Sequence, residues 1–101
     1  MSNTGSQAAS KYVLMYYEPR HPESAVPYDP PQDALESILS IAWHNHDANG
    51  QNESITQGER VIFYREELDQ ACARLGELRG EQPHRDLLDI AAQVLRETGK
   101  A

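Results

Sequence analysis

The sequence predicts a small α+β protein in which three helices pack on a small three-stranded sheet, in the order β-α-β-β-α-α. Residues 12–17, 54–56 and 60–64 are short runs rich in aromatic and β-branched residues, which favour strands. Three longer segments, near 31–46, 65–79 and 83–99, repeat apolar residues at the three- and four-residue spacing of an amphipathic helix. A length of 101 residues is typical of one domain, which we place at residues 11–99.

The predicted first strand is apolar or aromatic on both faces. Successive side chains of a strand point to opposite faces, so residues 12, 14 and 16 share one face and residues 13, 15 and 17 share the other. A strand with one face in water would alternate apolar and polar residues. Because the rest of the chain offers little material to cover both faces, we expect one of them to contact a second copy or another protein.

The segment 18–31 contains five of the six prolines. Proline fixes φ and favours extended geometry in the preceding residue, so this segment is predicted to be an extended, polyproline-like arm. The arm either connects the first strand to the first helix or docks on a partner through Arg20, His21 and Tyr28.

The remaining boundaries follow from helix and turn signals. Pro31 suits the first turn of the first helix, and the run from Asp47 to Gly50 should end it. Gly58 supplies the tight turn of a hairpin between 54–56 and 60–64. Gly80 and Gly99 are expected to end the second and third helices.

The composition limits the classes of partner. Sixteen acidic and nine basic residues give a net charge of −7, which phosphate backbones repel, so we expect no direct nucleic-acid binding. Through Glu53 the chain has two basic and seven acidic residues, so its first half could favour a basic partner surface. We expect no membrane span, since no stretch approaches the ~20 apolar residues it requires.

Residues 1–10 and the single cysteine bear on the cellular location of the protein. Residues 1–10 are small, polar and uncharged, which predicts a disordered tail and does not resemble a secretory signal. The single cysteine rules out a disulfide within the chain and fits a cytoplasmic location.

The sequence offers little that could carry out a reaction. His44 and Asp47, three residues apart on a helix, could share a metal ion, but zinc needs a third ligand that no spacing supplies. Cys72 lies in the apolar stripe of the second helix, which favours a buried thiol over a nucleophile. No glycine-rich phosphate loop or nucleophile motif is present. We therefore predict a protein that is not an enzyme and has no metal and no cofactor.

Five of the seven aromatic residues are tyrosines, which favour surfaces that are part buried and part wet. Together with the two-faced first strand, they suggest a small cytoplasmic regulator that forms a homodimer and binds another protein. Such a regulator would be an antagonist or anti-activator of a transcription factor or similar machinery. Alternatives are an acidic DNA mimic, a metal-binding protein using His44 and Asp47, and a subunit of a larger assembly. The predicted interface residues are Tyr16, Tyr17, Tyr28, Ile62, Tyr64 and Leu88.

Overall fold

The computed structural model describes residues 10–100. The predicted tail at 1–10 therefore lies outside the described residues, except for Ser10. Within them the chain is an α+β protein, as predicted. Its elements are β1 (Tyr12–Glu18), β2 (His21–Pro27), α1 (Leu35–Asp47), β3 (Gln51–Gln57), β4 (Arg60–Phe63), α2 (Arg65–Glu81) and α3 (Leu87–Thr98).

The sheet has four strands in the order β2-β1-β3-β4, with every neighbouring pair antiparallel. The prediction of three strands was wrong because β2 forms within the proline-rich segment. After Glu18 the chain turns and runs back along β1, so that Pro27 lies opposite Met15. Proline has no backbone N–H to donate, but an edge strand needs hydrogen bonds on one side only. Residues His21–Pro27 of this segment are thus a strand of the sheet.

The helices lie close to their predicted positions, with shifts of several residues at their ends. The first begins at Leu35, four residues after Pro31, and the third begins at Leu87. Gly99 ends the third helix in the left-handed region, with φ of 75°. The prediction that Gly80 ends the second helix was wrong, because that helix continues to Glu81. None of the helices within residues 10–100 has the length and hydrophobicity that a membrane span requires.

The hydrophobic core lies between one face of the sheet and the three helices. Leu14, Ile55 and Phe63 stand opposite one another on three adjacent strands and are completely or almost completely buried. The helices add their apolar stripes to the same cluster, including Ile38 from the first and Leu75 from the second. The third helix packs against the first two, so the molecule has a sheet layer and a helix layer.

Candidate functional site

The two faces of the sheet have different surroundings, which decides which residues a partner can reach. The buried row of Leu14, Ile55 and Phe63 belongs to the core. The next row, on the opposite face, consists of Val13, Thr56 and Val61. None of these three is buried, and Val61 is 38% exposed. Within residues 10–100, the three helices bury their apolar residues in the core on the other face.

We call this uncovered side of the sheet the open face, and define its centre by Val13, Met15, Ser54, Thr56 and Val61. Met15 lies between Ser54 on one side and a proline of β2 on the other. None of the five defining residues carries a charge, in a protein whose net charge is −7. A surface of this kind can meet an identical surface without bringing like charges together.

One end of the open face carries an ion pair shared with a tyrosine. The Tyr17 hydroxyl donates to Oε1 of Glu53 at 2.6 Å, and Arg65 donates to both groups at 2.9 and 3.1 Å. The arginine also stands over the tyrosine ring, 5.2 Å from its centre. The hydrogen bond to Glu53 raises the pKa of Tyr17, and the same bond lowers the pKa of Glu53. The cluster has no net charge and fixes the tyrosine in one orientation.

A second candidate surface is a groove on the core side of β1, which we call the tyrosine groove. It lies between β1 and α1 and has a volume of about 320 Å³. Its lining residues are Leu14, Tyr16, Tyr28, Ile41, His44 and Asn45. The rings of Tyr16 and Tyr28 meet edge to face, with their centres 6.1 Å apart and an interplanar angle of 62°. The groove is therefore mainly apolar, with two polar residues from the end of α1.

A buried amide holds the helical wall of this groove in place. The side chain of Asn52 in β3 is 2% exposed and donates to the backbone carbonyl of Ala42 in α1 at 2.9 Å. The Asn45 side chain in turn donates to Oδ1 of Asn52 at 2.8 Å. A Cβ atom at Gly50 would overlap the Asn45 amide, so the absence of a side chain there leaves room for the amide. These contacts fix the last two turns of α1 against the sheet.

The six predicted interface residues lie on different parts of the structure and do not form one surface. It brings only Tyr16 and Tyr28 together, in the tyrosine groove. Tyr17 lies at one end of the open face, and Ile62 is half-buried against the core. Two of the six lie elsewhere on the surface.

Those two are the most exposed of the six. Tyr64 is 64% exposed and precedes α2, where its backbone N–H donates to Glu67 at 3.0 Å. Leu88 is 43% exposed in the first turn of α3. Val13 and Met15 share one face of β1, as the alternation of strand side chains predicts, but they were not among the predicted interface residues. With both faces apolar, the pattern alone does not show which one the helices cover.

The residues considered for chemistry show no assembled site. Among residues 10–100, no group of three or more His, Cys, Asp or Glu side chains could hold a metal ion, so His44 and Asp47 have no third ligand from this part of the chain. Cys72 is completely buried, as predicted, and burial raises the pKa of its thiol to about 12. A thiol of this kind stays protonated and is a poor nucleophile near neutral pH.

Comparison with known proteins gives no match: no family model, no curated protein and no solved structure matches the chain. The candidate surfaces therefore rest on their own geometry.

Proposed function

We propose that this protein is a small cytoplasmic regulator that acts by binding another protein and is not an enzyme. It would serve as an antagonist or anti-activator of a transcription factor or similar machinery, and a second copy would cover its open face to give a homodimer. The observation that carries this proposal is the uncharged, largely apolar centre of the open face, which no helix covers in the described part of the chain. Uncovered apolar patches of this kind mark protein contacts.

The dimensions of the open face limit the area that a dimer can bury there. Three strands of seven residues and one of four, at about 4.8 Å spacing and about 3.3 Å rise per residue, give a projected area of roughly 400 Å² per copy. The two copies together reach about 800 Å², which is in the range of small, reversible interfaces below about 1,200 Å². We therefore expect a dimer with a dissociation constant in the micromolar range rather than a permanent one.

Pairing through strand edges is the less favourable way to dimerise. One edge of the sheet is β2, which contains Pro22 and Pro27 and so offers fewer N–H donors. The other edge is β4, which has only four residues. Prolines and short edge strands both oppose the addition of a further strand. Contact through the face of the sheet is not subject to either obstacle.

Sedimentation over a range of protein concentrations tests the dimer. Met15→Asp should weaken self-association at least about tenfold, because the contact would bury an unpaired carboxylate. Val61→Asp is a second variant at an exposed position, in case the first variant does not fold. Leu88→Asp on α3 is the matched control and should dimerise like the wild type. A wild type that stays monomeric at every concentration, or a dimer that only Leu88→Asp disrupts, would refute the open-face dimer.

Affinity capture at low and high salt tests the regulatory role. A stoichiometric protein partner retained at high salt supports binding through apolar contacts, whereas no partner at either salt would overturn the proposal. A partner released by salt and displaced by DNA would instead support the DNA mimic. That alternative needs free carboxylates, and several here are paired: Glu53 with Arg65, Glu67 with Lys100, and Glu97 with Arg74.

A further inference from the structure

The tyrosine groove offers a binding site separate from the open face. Leu14 and Tyr16 project from the core side of β1, so the sheet itself stands between the groove and the open face. Tyr28 follows β2 and closes one side, where its backbone N–H donates to the carbonyl of Leu14 at 2.7 Å. Ile41 of α1 closes the other side. A ligand in the groove and a second copy on the open face would not compete.

The volume and lining of the groove define what can enter it. About 320 Å³ is near the lower end of the ~300–1,000 Å³ range of ligand sites, which suits a single bulky side chain. Its walls combine two tyrosine rings with leucine and isoleucine. Aromatic rings pair favourably with a further ring at about 4.5–7 Å between centres, and they also pack on branched aliphatic groups.

One of the two polar residues of the groove is held in place by a hydrogen bond. The Asn45 side chain is held by its hydrogen bond to Asn52, and His44 is exposed on the same helix. Because the Asn45 side chain is already ordered before a ligand binds, association loses less conformational entropy.

The charge around the groove defines the partner further. Every lining residue comes from positions 14–45, in the half of the chain that has seven acidic and two basic residues. Asp29 adjoins Tyr28, and Asp47 lies one turn after His44. Both carboxylates are exposed and have no ion pair with Lys, Arg or His within the described residues. The complementary ligand is positively charged.

We propose that the tyrosine groove binds one bulky apolar side chain, aromatic or branched aliphatic, carried by a basic segment of another protein. This inference rests on the proposed function as a protein-binding regulator, and it names the chemistry of the partner. The segment docks through its side chain and does not add a strand to β2, because Pro22 and Pro27 lie in that edge strand.

A peptide titration followed by heteronuclear NMR tests the proposal. The probe is a synthetic, end-capped heptapeptide with a central Trp and alternating Lys and Thr on both sides. It should shift the amide signals of Tyr16, Tyr28 and Ile41, with a dissociation constant of about 1 mM or tighter. The same peptide with a central Leu should bind, and a central Ala should weaken binding at least about tenfold. Replacement of every Lys by Glu should also weaken it at least about tenfold.

Variants of the protein locate the site. Ile41→Arg fills the groove with a long cationic side chain and should abolish the shifts. Tyr28→Ser opens one wall without adding charge, and should weaken binding if Ile41→Arg does not fold. Val61→Asp on the open face is the matched control and should bind the peptide as the wild type does.

Three results would overturn the proposal. Equal affinity for the central Trp and central Ala peptides would show that no apolar side chain is recognised. Free indole binding as tightly as the Trp peptide, with no effect of the Lys-to-Glu exchange, would show a small-molecule pocket. Signals that shift only outside the groove would place the site elsewhere.

The peptide titration and the sedimentation experiment test different proposals, so a negative result in one does not decide the other. A wild type that stays monomeric contradicts the open-face dimer and leaves the groove result unaffected. A groove that binds no peptide contradicts this inference, while the dimer and the captured partner remain as tests of the proposed function.

Discussion

Removal of the Asn52 side chain tests how the sheet is tied to α1. We consider Asn52→Ala, which removes a side chain from a residue that is only 2% exposed. The variant loses the hydrogen bond that Asn52 donates to the Ala42 carbonyl and the one that it accepts from Asn45. These two hydrogen bonds connect β3 with the last two turns of α1, which form one wall of the tyrosine groove. The variant should therefore loosen the helix where the proposed ligand binds.

The expected loss of stability can be worked out from the two bonds. Each contributes about 0.5–1.5 kcal/mol net, and a buried acceptor that loses its partner, here the Ala42 carbonyl, costs about 1–3 kcal/mol. Asn45 is only half-buried, so water can replace part of its lost hydrogen bond. The sum is about 2–3 kcal/mol, against a total of about 5–15 kcal/mol for such a domain. The melting temperature should fall by roughly 10–20 °C.

Urea denaturation followed by circular dichroism measures this loss. Gln51→Ala, at the exposed neighbouring position of the same strand, is the control and should change the free energy of unfolding by less than about 0.5 kcal/mol. In a double-mutant cycle, Asn45→Ala and Asn52→Ala should couple by about 1 kcal/mol. A loss below about 0.5 kcal/mol for Asn52→Ala, or two effects that simply add, would refute this account of the connection.

Two further predictions concern the helices. Glu97 has a pKa lowered from 4.5 to about 2, mainly because Arg74 donates to it, so its contribution to stability is present above about pH 4.5 and is lost as the pH falls towards 2. Glu97→Gln should therefore melt at a lower temperature than the wild type at neutral pH and at the same temperature near pH 2; a difference that persists in acid would contradict this. Gly80→Ala, within α2 with nothing near the added methyl group, should raise the free energy of unfolding by about 0.5 kcal/mol. Gly99→Ala should lower the free energy of unfolding by about 1 kcal/mol, because φ is 75° at this position. Urea denaturation measures both variants. If Gly80→Ala and Gly99→Ala change the free energy of unfolding in the same direction, backbone conformation does not determine these effects.

The sequence was sufficient for the fold class, for the helices to within several residues at their ends, and for three of the strands. It was insufficient for β2, whose residues His21–Pro27 show no apolar alternation and include two prolines. That strand depends on a neighbour: β1 supplies the hydrogen bonds, and an edge position makes proline acceptable. Local propensity describes a segment by itself, so a strand that exists only because another lies beside it has no strong local signal.

The candidate surfaces could be predicted only in part, for a related reason. The two apolar faces of β1 were visible in the sequence, and so was the tyrosine content. Which face the helices cover is a matter of tertiary packing, so Met15 and Val61 could not be distinguished from core residues. Ile41 and Asn52 each gain their role from a contact with a distant part of the chain, and no spacing in the sequence indicates such contacts.

Because the tyrosine groove and the open face lie on opposite sides of β1, pairing of two copies through the open face leaves both grooves accessible. If the proposed homodimer forms, it presents two identical grooves, and a target whose two basic apolar segments span the distance between them would occupy both at once. The second segment binds at the high effective concentration set by the first, so weak individual contacts produce strong overall binding. On the proposed model, a dimer with a small interface and small grooves would therefore bind a dimeric target tightly and a target with one such segment only weakly.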